Sequence, residues 1–207
     1  MKYTKTYMPF KLILSLIFLL HFGACFNSYT PIPKKKAYFK IELPEHSYQS
    51  YDNNCPFKFD YPTYAQLEKD TLYFNEYQSN PCWYNLEFEA LKATLHISYN
   101  TIKTAEDINQ RLNDSHDLSW KHTVKAAYIE EESLEDSNKQ IYGRLYNIGG
   151  NAASSLQFYL TDSSKHFLRA ALYFDAKPNI DSMGDVIHHV KKDIEHLIYT
   201  FEWRDID

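Results

Sequence analysis

The chain has 207 residues, 44 % of them hydrophobic and 24 % charged, with a formal net charge of −5. That composition excludes disorder and fibrous repeats, and its length allows one core of ordinary size without a staple. Residues 1 to 24 contain Lys2, Lys5 and Lys11 and no acid, so the remainder carries −8 and has no basic stripe; nucleic acid is not expected as a partner.

The first element in chain order is a basic segment followed by LILSLIFLL, residues 12 to 20, and then by small residues and a cysteine, HFGAC. A helix from Leu12 to Ala24 rises about 20 Å, short of the roughly 30 Å of bilayer hydrocarbon. A buried helix, or a cleaved signal beside a chance cysteine, is the plain alternative. The arrangement resembles a bacterial lipobox, in which a peptidase cuts before a cysteine that already carries diacylglycerol; Phe22 stands where Leu is usual. The expected signal is residues 1–24, cut between Ala24 and Cys25. Cys25 would then carry a thioether-linked diacylglycerol at sulfur and an acyl chain on its new amine, and several chains together hold a protein firmly at a bilayer. Residues 25–36 read as a lipidated tether, since FNSYTPIPKKK has no sustained period and contains two prolines. Its extended length is at most about 35 to 40 Å. Lys34 to Lys36 either touch anionic headgroups or are simply solvated.

Cys55 and Cys82 remain, with a single possible intramolecular pairing. Export favours a disulfide; two separate buried thiols are the alternative. Zinc is a poorer reading, because neither cysteine belongs to a Cys-x-x-Cys pair.

Residues 37–207 read as a single domain. AYFKIEL, residues 37 to 43, alternates like a strand, and residues 45 to 81 are rich in Tyr, Asn, Asp and Pro, with short strands at 56–59 and 71–74. Tyr48, Tyr51, Tyr61, Tyr64, Tyr73 and Tyr77 make this stretch a candidate binding surface, with ordinary sheet packing the alternative for each. Residues 83 to 100 hold two strands, the second with Leu91, Ala93, Leu95, Ile97 and Tyr99 at period two. Thr104 and Asp107 form a capping box that opens a helix ending near Ser119 or His122, with a weak stripe of Ile108, Leu112, Ser115 and Leu118. The acidic run at 130–136 reads as a solvated loop or an edge hairpin. Three further strands occupy 141–148, 153–162 and 165–176; Gly149, Gly150 and Asn151 between the first two read as a turn motif. Phosphate binding would need a longer glycine pattern.

A final helix is expected from a cap at Asp181 or Ser182 to about Thr200, with Ile187, Val190, Ile194, Leu197, Ile198 and Phe201 on one face. His189, Asp193 and His196 gather on the other face. Their spacing suits a metal, but that face is expected to be wet and no fourth ligand is evident, so neither metal nor cofactor is expected. No metalloprotease, nucleophile-elbow or Walker pattern occurs, and no catalytic residue is assigned. Glu87 and Glu89 fall on one side of a strand and would serve as an acid and base pair only by the accident of a solvent face.

CPFKFDYPTYA, NPCWYNLEFEALKATLHISY and the segment from IYGRLYNIGGNAASSLQFYLTD to LYFDAKPN resemble the gliding-motility lipoprotein D family (GldD) of Bacteroidota, with similarity running from Cys25 to about Trp203. Cys55, Cys82 and the Gly149–Asn151 signature fall within its motifs. The resemblance implies a cell-envelope lipoprotein needed for gliding and associated with the motility and type IX secretion apparatus, with no established catalytic residues. The implied fold is α+β, an antiparallel sheet packed by the long C-terminal helix and a weaker middle helix. The last hairpin and helix are similar to PsbP/Mog1-like sandwich domains. Two functions follow as expectations: a non-catalytic component that binds envelope motility or secretion proteins, or an envelope glycan-binding module or hydrolase with a cleft lined by Tyr and carboxylates. The segment after Cys25 lacks an early acidic run that looks like a surface-export signal, so the body is expected at the outer membrane, facing the periplasm.

Overall fold

The computed structural model describes residue 3 and residues 41–204, except 71, 74–75, 78–80 and 177, with backbone alone at 72, 73, 76, 77 and 180. The chain divides into two compact units, Met1–Phe39 and Lys40–Asp207, and all described residues beyond Tyr3 fall in the second. The signal, Ala24, Cys25 and the tether lie outside the described residues.

The second unit is an α+β fold built on a seven-stranded antiparallel sheet. Its strands are β3 (Gln66–Lys69), β6 (Tyr84–Phe88), β7 (Ala93–Thr101), β8 (Ala126–Asp136), β9 (Ile141–Gly150), β10 (Ser154–Thr161) and β11 (His166–Phe174), in the order β3-β6-β7-β11-β10-β9-β8. β4 (Leu72–Tyr73) and β5 (Glu76–Tyr77) form a separate two-stranded ribbon. Alternation explains the large sheet: Tyr84, Leu86 and Phe88 of β6 and Ala93, Leu95, Ile97 and Tyr99 of β7 point to one side and are buried. Register then aligns them into rows, with Leu86 opposite Leu95, Leu95 opposite Leu172 and Leu172 opposite Leu156. Such cross-strand rows stabilise a sheet through paired side chains.

β10 is buried on both faces. Leu156, Phe158 and Leu160 share the main core with Val186, Val190, Ile194 and Leu197 of the final helix α2 (Ile180–Thr200). Gln157, on the opposite face, accepts from Ser119 Oγ at 3.2 Å on the shorter helix α1 (Ala105–Trp120). The Thr104–Asp107 capping box opens α1 as expected. Leu118, however, is exposed, and buried Ser119 takes the sheet-facing place expected of it, its hydroxyl donating back to Ser115 O. α2 is capped by Asn179, whose side chain accepts from Asp181 N, ahead of both caps expected at Asp181 or Ser182.

A second sheet, β1-β2-β12, joins β1 (Tyr48–Tyr51), β2 (Phe57–Pro62) and β12 (Glu202–Trp203). Phe57, Phe59, Tyr51 and Phe201 extend the same core beneath it, their rings within about 6 Å of one another in a chain of stacks. The strand expected at 37–43 is absent at Ile41–Leu43; its remainder lies outside the described residues. The acidic run is an edge strand, β8, which turns at 137–140 into β9. Its exposed Glu130, Glu131 and Glu132 discourage pairing with another chain's strand. Among the described residues, no helix is long and apolar enough to cross a membrane.

Candidate functional site

The most concentrated chemistry lies where the polar flank of α2 meets β1 and the segments around it. Asp193 is fully buried, and three side chains converge on its carboxylate: His46 Nδ1 at 2.6 Å and Tyr48 Oη at 3.0 Å on Oδ1, and the Tyr64 hydroxyl donating to Oδ2. His189, one turn earlier on α2 and also buried, stacks on His46 with ring centroids 4.2 Å apart. His196, one turn later, stacks on Tyr48 at 3.6 Å and lies 3.9 Å from Asp60 Oδ2. The flank read from the sequence as wet is therefore covered, because residues 46 to 64 fold across it.

That covering sets the electrostatics. Burial first, then the hydrogen bond to Asp193 and its negative charge, push the Tyr48 phenol up to about 12. The same causes, with burial leading, raise Tyr64 well above the ordinary phenol range. Both hydroxyls thus stay protonated and available as donors to a buried anion. Burial and the neighbouring His46 hold His189 below the usual imidazole value, against the attraction of Asp193.

The six tyrosines do not form one exposed face. Tyr51 is a core residue, stacked on Phe59 at 5.0 Å; Tyr48 and Tyr64 turn inward to Asp193; Tyr61 is half-buried with its ring edge on Phe59. The side chains of Tyr73 and Tyr77 lie outside the described residues. Beside Tyr51 is a polar depression of about 490 Å³ containing Asp52, Asp60, Asp136 and Glu202. Each acid there is engaged: Asp52 with Arg204, Asp60 with Ser50, Asp136 with the backbone N–H groups of Asn138 and Lys139, and Glu202 with Lys58. Glu87 accepts from Thr94 Oγ1 at 2.6 Å, while Glu89 has left the strand to open a short 3-10 turn, so the two are not a facing pair.

Cys55 and Cys82 are bonded, with Cα atoms 5.7 Å apart and both residues buried. The disulfide fastens the segment between β1 and β2 to the strand entering β6. Gly149 and Gly150 end β9 instead of forming the reversal, which passes through 151–153. Gly150 adopts φ +91°, opposite a bulge in β8, and Gly149 leaves room for the Tyr128 ring to lie across the strand.

Of the helix face singled out from the sequence, the structure brings His189 and Asp193 together and sends His196 to Tyr48. His46, Tyr48 and Tyr64 complete the cluster. Sequence reasoning missed His46, which sits in no periodic element; its proximity to a Tyr-rich stretch was the only signal.

No curated protein matches the chain. The family model for gliding motility lipoprotein GldD matches residues 28–203. That span takes in both sheets, both helices, the Asp193 cluster and the disulfide, and the chain belongs to the gliding motility lipoprotein GldD family.

Proposed function

We propose that this protein is a non-catalytic, lipid-anchored component of the cell envelope whose folded body binds another protein of the motility and type IX secretion apparatus. The observation that carries the reading is the family match through residues 28–203. The lipobox-like HFGAC at residues 21–25 supports cleavage after Ala24 and anchoring through Cys25, with residues 25–36 as the tether and 37–207 as the body. The outer membrane, with the body facing the periplasm, is the location this reading takes. The hairpin of β10 and β11 leading into α2 supports a PsbP/Mog1-like sandwich, a likeness that supplies no function by itself.

With Tyr48, Tyr51 and Tyr64 turned inward, another stretch serves as the contact surface. Leu118, Trp120, Val124 and Tyr128 are exposed, Val124 at 83 %, along the stretch from the end of α1 into the edge strand β8. Large apolar side chains exposed at several points along one stretch favour a protein contact there.

Photo-crosslinking in intact cells tests the proposal. A cross-linker at Val124 or Trp120 should capture one specific envelope protein, while one at exposed Lys103 should not. Capture of the same protein from both places, or motility that survives loss of the captured neighbour, would count against it. Cys25→Ala should release or mislocalise the body and impair gliding; unchanged fractionation would refute the anchor.

A further inference from the structure

His189 is 6 % exposed, and among the described residues its Nε2 has no hydrogen-bond partner. An imidazole nitrogen sealed from water in this way needs an explanation. It lies 3.9 Å from Asp193 Oδ2, too far for a hydrogen bond and within the span that two donors can keep when each is about 2.0 to 2.1 Å from a shared ion. His46 supplies a third ligand atom, Nδ1, against the other oxygen of the same carboxylate. One ligand atom from each of the three residues lies within 4.8 Å of the other two, slightly more than a shared ion spans, so the exposed His46 closes toward the buried pair when the three share an ion. We propose that His46, His189 and Asp193 bind one zinc-type divalent cation.

The donor set selects the class of ion. Two imidazoles and one carboxylate suit zinc and its transition-metal neighbours, whereas calcium and magnesium require oxygen ligands throughout. A carboxylate offers about four acceptor positions, and His46, Tyr48 and Tyr64 occupy three, so Oδ2 retains one for the ion. On binding, neutral His46 exchanges its Nδ1 contact with Asp193 for a bond to the cation and carries its proton on Nε2. Tyr48 and Tyr64 keep donating to the carboxylate and fix its orientation, as outer-shell partners of metal ligands do. Entry is from the His46 side, where the side chain is 35 % exposed while that of Asp193 is fully enclosed.

Three protein ligands leave a fourth position for water. The ion would join His46, ahead of β1, to α2, and so fasten the covering segment to the helix it covers. This role does not depend on which protein the body meets.

The experiment uses the full-length lipoprotein in detergent, without a polyhistidine tag, stripped by a chelator and titrated with Co(II) and then Zn(II). One equivalent of Co(II) should produce the visible absorption of a four- or five-coordinate site, and Zn(II) should abolish it. His46→Ala and His189→Ala should each weaken binding at least tenfold, while His188→Ala and His116→Ala, at exposed positions, should leave it unchanged. Far-ultraviolet circular dichroism reports whether each variant is folded; if His189→Ala is not, His46→Ala, at an exposed residue, decides alone. Failure of the wild type to take up a stoichiometric ion, binding that survives His46→Ala, or binding lost in His188→Ala would overturn the proposal.

Discussion

Along α2, Val186, Val190, Ile194 and Leu197 share an aliphatic core with Leu86, Leu95 and Leu156 of the large sheet, while His189, Asp193, His196 and Thr200 on the adjoining flank lie under β1, β2 and their connections. Both flanks are largely enclosed, yet they are held differently. Aliphatic packing is non-directional and varies with the area and volume filled. The polar flank depends on particular donors reaching particular acceptors: Tyr48 and Tyr64 on Asp193, and Asp60 N donating to Thr200 Oγ1 at 2.9 Å. Losing one partner there leaves another group buried without one. One helix therefore joins an interior that fails by degrees to one that fails group by group.

The largest effect should come from the aliphatic side. Phe158 is 1 % exposed at the centre of the sheet, and Phe158→Ala should cost about 4 kcal/mol, read as a loss of unfolding free energy in urea. A cost below about 1.5 kcal/mol would mean that the sheet and α2 are not tightly packed there. Next is the disulfide. Replacing Cys55 and Cys82 together by Ala opens a loop with sequence separation 27, which on the chain-entropy account costs about 3.5 kcal/mol. Because this bond holds residues near the covering segment, the double variant should also raise proteolytic cleavage around residues 46 to 64 before the large sheet unfolds. Simultaneous exposure of both regions would show that they unfold as one unit.

The polar flank should respond less in magnitude and more in pH dependence. Tyr64→Phe removes one donor from a buried carboxylate and should cost about 1 to 2 kcal/mol. For Tyr48 the sign is fixed by the direction of its shift. A phenol that titrates near 10 in the unfolded chain and about 12 in the folded one binds its proton more tightly when folded. Its contribution is complete below pH 10 and is lost as pH rises toward 12. Stability measured across that interval should fall less steeply in Tyr48→Phe than in the wild type. Equal slopes would mean that folding does not raise the Tyr48 phenol, and that it is neither buried nor held against Asp193.

The two flanks also differ in what the sequence made visible. Ala93, Leu95, Ile97 and Tyr99 declare a strand through their own alternation, and Thr104 with Asp107 declares a helix start through two side chains three residues apart. Val190, Ile194 and Leu197 likewise show their face by spacing alone. His189 and Asp193 do not, because what buries them comes from elsewhere: His46 is 147 residues from Asp193 and Tyr64 is 129. Periodicity within α2 reports that this flank is polar and not whether another segment covers it. The tyrosines illustrate the same limit. Tyr48, Tyr51, Tyr61 and Tyr64 share one local composition, but the structure gives Tyr51 to the aromatic core and Tyr48 and Tyr64 to a buried acid. Gly149 and Gly150 read as a turn in the sequence; that Gly149 instead leaves room for the Tyr128 ring depends on the register of β8 against β9.

Within that glycine pair Gly149 provides the smallest effect, and Gly150 beside it a comparison outside both interiors. At Gly150 a Cβ would meet Ala127 N at 2.6 Å, and φ is +91°, so Gly150→Ala strains backbone against backbone and should cost about 2 kcal/mol. At Gly149 the nearest obstacle is the Tyr128 ring, a side chain 53 % exposed and able to swing toward solvent. Gly149→Ala should therefore cost no more than about 1 kcal/mol, within the range of a lost surface contact. In a Tyr128→Ala background the same substitution should cost almost nothing, because no ring remains to displace, and the difference between the two costs is the coupling of the pair. If Gly149→Ala proves as costly in that background as in the wild type, the strain lies in the strand itself, and the edge of the sheet is held as tightly as its centre.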